Sequence, residues 1–159
     1  MLDIYVDADG SPVKDEVFRV ARRYSLRVFL VANTVIQGSP SDRWESIVVR
    51  GGPDEADHWI AEHVEKDDIV VTADIPLADR SLSKGARALG PTGKPFTDKN
   101  IGGALASREL SKELRQMGMI TGGPRPMRKE DRSRFLSSLD ALVQSIRRTS
   151  PRREDPTGP

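Results

Sequence analysis

Hydrophobic and polar residues change period several times along this chain, and each change marks an element. Leu2-Asp3-Ile4-Tyr5-Val6 alternates and stops at Asp7-Ala8-Asp9-Gly10, the pattern of a strand entering a sharp turn. Ser11-Pro12 then reads as a helix start, with Ser11 as N-cap and Pro12 at the first helical position. Asp15 and Glu16 fall in the first turns, where the helix dipole favours anions. Val13, Val17, Ala21 and Tyr24 recur at helical spacing as the buried stripe. Val28-Phe29-Leu30-Val31-Ala32 is an unbroken apolar run, as in a strand covered on both faces. Residues 37–43 read as loop and Ile47-Val48-Val49 as a short strand. Gly51-Gly52-Pro53 breaks the chain before a helix from about Asp54 to Glu65. Asp68 leads into the strand Ile69-Val70-Val71-Thr72, and after Ala73-Asp74 a helix runs from near Pro76 to about Ser83.

Beyond Gly85 the pattern loosens. Gly90-Pro91-Thr92-Gly93-Lys94-Pro95 reads as a turn-rich loop, and a helix from about Asp98 to Met117 has room for a kink at Gly102-Gly103. Thr121-Gly122-Gly123-Pro124 is another break. A last helix from Lys129 to Arg147 puts Phe135, Leu139, Leu142 and Ile146 on one face. Strands separated by helices, rich in β-branched residues, predict an α/β fold: a central, mostly parallel sheet with helices on both faces. The prediction is one domain over residues 1–148, followed by a Pro- and charge-rich tail, residues 149–159, too polar to pack.

Composition narrows the chemistry. There are no cysteines, which excludes disulfides, zinc–thiolate sites and thiol catalysis. The only histidines are His58 and His63, so oxygen ligands from Asp and Glu are the available metal chemistry. No apolar run reaches the length of a membrane span and the N-terminus lacks a basic signal region, so the expected location is cytoplasmic with no membrane partner. Charge is unevenly divided. Residues 1–79 carry 16 acidic against 8 basic side chains, a net of −8, whereas residues 80–159 carry 17 basic against 8 acidic, a net of +9. That split suits an acidic site in one half and a polyanion-facing surface in the other, or two halves that pair with each other.

The acidic residues fall where strands end. Asp7 and Asp9 follow the first strand, and Asp74 follows the Val70-Val71-Thr72 strand, so both groups lie at the ligand-binding edge of a parallel sheet. A lone aspartate there is most often a helix cap; carboxylates from two strand ends repel unless a cation such as Mg²⁺ or Mn²⁺ lies between them. Asp57 shares a helix face with Ala61 and Val64, where an unpaired carboxylate is costly and a metal is one partner. Asp54, after Pro53, reads better as an N-cap or first-turn anion.

Asp7-Ala8-Asp9 with Pro12, Val31-Ala32-Asn33, Asp54-x-x-Asp57, Val71-Thr72-Ala73-Asp74-Ile75-Pro76-Leu77-Ala78, Lys84-Gly85-Ala86 and Thr121-Gly122-Gly123-Pro124 together resemble the YaiI/YqxD family of bacterial proteins. The resemblance runs from about residue 3 to residue 147. It implies a PIN-like domain, a small three-layer α/β/α fold used by metal-dependent nucleases. In that pattern Asp7, Asp57 and Asp74 are the catalytic acidic residues. One departure is Gly10-Ser11-Pro12, where many members carry Ala-Cys-Pro; capping is the job the two versions of that position share.

On this reading Mg²⁺ or Mn²⁺ is held by Asp7, Asp57 and Asp74 with Asp9 assisting, and water attacks a phosphodiester, RNA being the favoured substrate. Thr72 orients Asp74 or a water, Asn33 bonds within the site or shapes a turn, and Asp79, one turn into the next helix, is a further supporting candidate. Arg108, Lys112 and Arg115 form one basic helix stripe for phosphates, unless it is simply a solvated face. Arg125, Arg128, Lys129, Arg132 and Arg134 form a second basic cluster. Thr121-Gly122-Gly123 either presents backbone N–H groups to a phosphate or stops a helix. With few aromatics, no base-stacking platform stands out. Two other functions fit. Val6-Asp7-Ala8-Asp9-Gly10 also resembles the start of haloacid-dehalogenase phosphatases, with Asp7 as nucleophile and Asp9 as general acid, although that motif continues into Thr where Ser11-Pro12 stands here. The other is a non-catalytic nucleic-acid-binding module.

Overall fold

The computed structural model describes residues 2–9, 11–36, 43–52, 54–119 and 126–149. Its elements, in chain order, are β1 (Asp3–Asp7), α1 (Lys14–Tyr24), β2 (Arg27–Ala32), β3 (Trp44–Val48), α2 (Glu55–His63), β4 (Ile69–Val71), α3 (Ile75–Ser83), β5 (Arg87–Leu89), β6 (Pro95–Phe96), α4 (Ile101–Gln116) and α5 (Lys129–Thr149). The strands form one six-stranded sheet in the order β3-β2-β1-β4-β5-β6. All pairings are parallel except β5 with β6. The predicted α/β class and mostly parallel sheet are therefore what the chain forms.

Strand periodicity sorts the core into two faces. Ile4, Val6, Val28, Leu30, Ile69 and Val71 pack against α1 and α5. Their alternates Tyr5, Phe29, Val31 and Val70 pack against α2 and α3. The result is three layers, with α4 laid over α3, β5 and β6 around Ala78, Ala88 and Ile101. β2 is buried from Val28 to Ala32, as its unbroken apolar run demands. On α5 the buried stripe is Phe135, Leu139, Val143 and Ile146, with Leu142 half-buried at its edge. The N-terminus of α5 is tied by Asp131, whose carboxylate accepts from the Arg128 backbone N–H at 3.0 Å, reaching back across the first turn. Among the described residues no helix is long and apolar enough to cross a membrane.

Several local expectations change. α1 begins at Lys14 with Val13 at the N-cap position, so Ser11 does not cap it. The Pro12 carbonyl instead accepts from the Arg132 guanidinium of α5. β3 starts three residues earlier than Ile47, because Trp44 pairs with Val28 and packs on the core through a T-shaped contact with Phe18. The expected turn at Gly90–Lys94 is present, and it joins two short strands that the pattern did not show, β5 and β6, with Pro95 in the second of them. α4 runs unbroken, and Gly102 and Gly103 fall in its first turn, before the hydrogen-bond ladder that a kink would break. α5 extends to Thr149, whose hydroxyl donates to the Ser145 carbonyl; the rest of the expected tail, residues 150–159, lies outside the described residues.

The β5–β6 turn is closed by Gly93, at φ +91 and packed on α5, where an added Cβ would stand 2.9 Å from the Arg134 backbone carbonyl. Gly93→Ala combines a left-handed backbone with a contact that backbone cannot relieve. It is expected to cost about 1 kcal/mol or somewhat more, measured by urea unfolding, with the midpoint rather than the slope moving.

Candidate functional site

β1 and β4 are neighbours in space but not in sequence, so the chain reverses its direction of winding between them. The crevice at their carboxyl ends is the switch point where open α/β sheets bind ligands. The parallel register pairs Tyr5 with Val70 and Val6 with Val71, which brings Asp7 level with Thr72 one residue further on. Asp7 follows Tyr5 by two residues and Thr72 follows Val70 by two, so both project to the face covered by α2 and α3. Asp57 arrives on that face from the first turn of α2. Asp74 arrives from the loop that starts α3.

Thr72, 3% exposed, is the joint of the site. Its hydroxyl donates to Asp7 Oδ2 at 3.0 Å and accepts from the Asp74 backbone N–H at 2.9 Å. Thr72 therefore orients Asp7 directly and Asp74 through the main chain. Asp74 Oδ1 accepts from the Leu77 N–H at 2.9 Å, a true N-cap of α3 with Pro76 in the first turn. The cap fixes the Asp74 carboxyl at the start of α3, close enough for its charge to raise both Asp57 and Asp7. Thr72→Ala leaves the Asp74 N–H without its partner and Asp7 without its donor. A loss of about 1–2 kcal/mol is expected, read by thermal melting in metal-free buffer; Thr72→Ser, which keeps the hydroxyl, should recover most of it.

The three carboxyls interact. Asp57 stands close enough to Asp74 and Asp7 for their charges to act on it. Burial and then the Asp74 and Asp7 carboxylates push the Asp57 carboxyl up to about 7. Asp7 is also raised, chiefly by burial, with the Thr72 hydrogen bond opposing and the Asp74 and Asp9 charges adding to the rise. Near neutral pH a proton on Asp57 thus offsets the repulsion among the group. Among the described residues no three acidic or histidine side chains already stand at ligand spacing around one point. The donor chemistry nonetheless fits a small hard cation: three carboxylates on rigid elements, whose mutual repulsion a divalent ion would relieve in place of the proton.

The remaining candidates divide. Asp9 is exposed at the turn after β1, and its Oδ2 accepts from the Asn33 backbone N–H at 3.0 Å. Asn33 thus serves through its main chain, holding Asp9 beside the end of β2. Asp54 occupies the N-cap position of α2 but makes no side-chain cap hydrogen bond; its charge instead helps to raise Asp57. The expected capping role is therefore not the one it fills, because its backbone is already helical (φ −88, ψ −3) and a capping side chain needs extended backbone. Asp79 sits further along α3, and its side chain makes no described bond to the three carboxyls. Thr121, Gly122, Gly123 and Arg125 lie outside the described residues.

On the basic side, Arg108 and Arg115 line a groove of about 660 Å³ between α4 and the β5–β6 hairpin. Lys112 is exposed on the same helix and does not line it. Of the second basic cluster, Arg132 pairs with Glu16 at 3.6 Å and Arg134 with Asp131 at 3.1 Å, so both have structural partners. The Glu16 oxygen has no closer partner among the described residues. Lys94, which the sequence places in a loop, and Phe96, to which it assigns no element, also line the groove. Two-residue β6 is too short to show a period; Phe96 as a lone aromatic after two turn glycines was the available signal.

A family model described as "Uncharacterized BCR, YaiI/YqxD family" matches residues 5–145. Among curated relatives, a UPF0178 protein of Rhodospirillum centenum is 54% identical over 152 residues, covering 93% of this chain and 99% of its own. UPF0178 proteins of Parvibaculum lavamentivorans and a Caulobacter species are 53% and 52% identical, covering 95% and 93% of this chain and 99% and 98% of their own. No solved structure matches. With the motifs of both halves inside the matched span, the chain belongs to the YaiI/YqxD family.

Proposed function

We propose that the protein is a PIN-like, Mg²⁺- or Mn²⁺-dependent nuclease that hydrolyses phosphodiester bonds, RNA being the favoured substrate. The observation that carries this reading is the meeting of Asp7, Asp57 and Asp74 at the switch point, with Asp57 raised to about 7 by burial and by its two neighbours. Acidic groups gathered where they repel are characteristic of sites whose function needs them there. A bound divalent cation would supply Lewis acidity to the phosphate and lower the pKa of a water. Asp7, Asp57 and Asp74 would hold it, with Asp9 at the rim. Thr72 keeps the Asp7 carboxyl in place, and the α3 cap keeps that of Asp74. Asp57 would have to give up its proton to serve as a ligand, so activity should rise with pH through about 7. End-labelled single-stranded RNA incubated with the protein and Mn²⁺ should be cleaved, and excess EDTA should stop it. Intact RNA with both Mn²⁺ and Mg²⁺ across pH 6–9 rejects the proposal.

A further inference from the structure

Among the described residues, the groove between α4 and the β5–β6 hairpin is lined by three cationic side chains, Lys94, Arg108 and Arg115, and by no acidic one. Among the described residues no ion pair engages Lys94 or Arg115, and Arg108 meets only exposed Glu109, on its own helix, at 3.2 Å. Unpaired like charges facing one another across a groove destabilise it unless an anion sits between them. Arg108 and Arg115 are two helical turns apart, about 10 Å along α4, so the charge is drawn out as a track and is not a single-phosphate pocket. Small residues, Gly103, Ala104 and Ser107, keep the α4 wall low, and a Cβ added at Gly103 would meet nothing within 4 Å. Phe96, half-buried against Ile101 and Ala88, is the aromatic residue that lines the groove among the described residues. Ile75, the residue that follows Asp74, also lines the groove.

We infer that this groove is a strand track for single-stranded nucleic acid, with phosphates on Lys94, Arg108 and Arg115 and an unpaired base against Phe96. The track delivers the chain to the Asp74 end of the acidic site. Only an unpaired base exposes the face that an aromatic ring can stack on, which favours single strands over duplex. The inference deepens the nuclease reading and rests on it for the direction of the chain, but binding in the groove needs neither metal nor turnover.

The test is fluorescence anisotropy with a labelled 12-nucleotide RNA carrying 2-aminopurine, on the full chain in EDTA. Wild type should bind the single strand more tightly than the same sequence as duplex, with 2-aminopurine quenched on binding. Arg108→Ala with Arg115→Ala should weaken binding roughly tenfold or more at low salt and flatten the log–log salt slope by about 1.4, near 0.7 per lost phosphate contact. Phe96→Leu should weaken binding roughly tenfold and abolish the quenching. Phe96→Tyr should keep both, and this separates a stacking role from loss of the hairpin. Groove variants that bind like wild type, duplex bound as well as single strand, or polyphosphate competing as well as the oligonucleotide would each overturn the inference. Groove-dependent binding without cleavage in Mn²⁺ leaves the track standing and rejects the nuclease.

Discussion

Asp7→Asn and Asp74→Asn should each lower metal-dependent RNA cleavage by roughly 10²–10³-fold, the size of effect seen when one preorganised electrostatic partner is removed. Both substitutions are nearly isosteric, so shape is retained while charge is lost. At Asp74 this separation is unusually clean. Asparagine caps a helix as well as aspartate does, so the bond to the Leu77 N–H and the start of α3 should survive. At Asp7 the asparagine carbonyl can still accept from Thr72. The measurements are single-turnover cleavage in Mn²⁺ and a thermal melt of each variant. Wild-type rates from folded variants would remove these carboxylates from any catalytic role and leave Asp74 as a cap and Asp7 as a partner of Thr72.

Asp57→Asn should do two opposite things: abolish metal-dependent activity and stabilise the metal-free protein at alkaline pH. The sign follows from proton linkage. An ordinary aspartate titrates near 3.9, and in the fold Asp57 titrates at about 7. The folded state therefore holds the proton more tightly than the unfolded chain. Stability contributed by the protonated acid is fully present below about 4 and is lost as the pH rises through about 7. Taken at face value the shift is worth about 4 kcal/mol. Asp57 is half-exposed, and solvent screening reduces that to about 2 kcal/mol or less. In EDTA the variant should thus melt above wild type at pH 8, and the two should converge near pH 4. Adding Mn²⁺ at pH 8 should raise the wild-type melting temperature and leave that of Asp57→Asn nearly unchanged. A gain of equal size at both pH values would mean that charge repulsion is not what Asp57 stores.

Much of this was legible because it is local. Val28–Ala32 could only be a strand covered on both faces. Phe135, Leu139 and Ile146 could only be one stripe of a helix. Asp7, Asp57 and Asp74 could be singled out because strand ends and helix faces are periodic features, and periodicity is written in the order of residues. What went unread depended on partners distant in the chain. Ser11 does not cap α1, and the Pro12 carbonyl beside it is engaged by Arg132, 120 residues further along. β5 and β6 are three and two residues long and exist because β4 offers an edge to Arg87–Leu89, which in turn pairs with Pro95–Phe96. Asp54 looked like a cap by its neighbour Pro53, but its backbone geometry assigns it another role.

By itself, then, the sequence determined the α/β class, the parallel strands and which carboxylates end up at the sheet edge, since these follow from period, burial and chain direction. Tertiary structure alone decided how those carboxylates are held. The register of β1 on β4 makes Thr72 the shared partner of Asp7 and Asp74, and the packing of α2 brings Asp57 close enough for charge repulsion and burial to lift it to about 7. It also decided the groove, because Lys94 and Phe96 meet Arg108 and Arg115 only when a two-residue strand closes the sheet beneath α4. Electrostatic coupling and shape depend on distances between elements, and those distances come into being only when the layers pack.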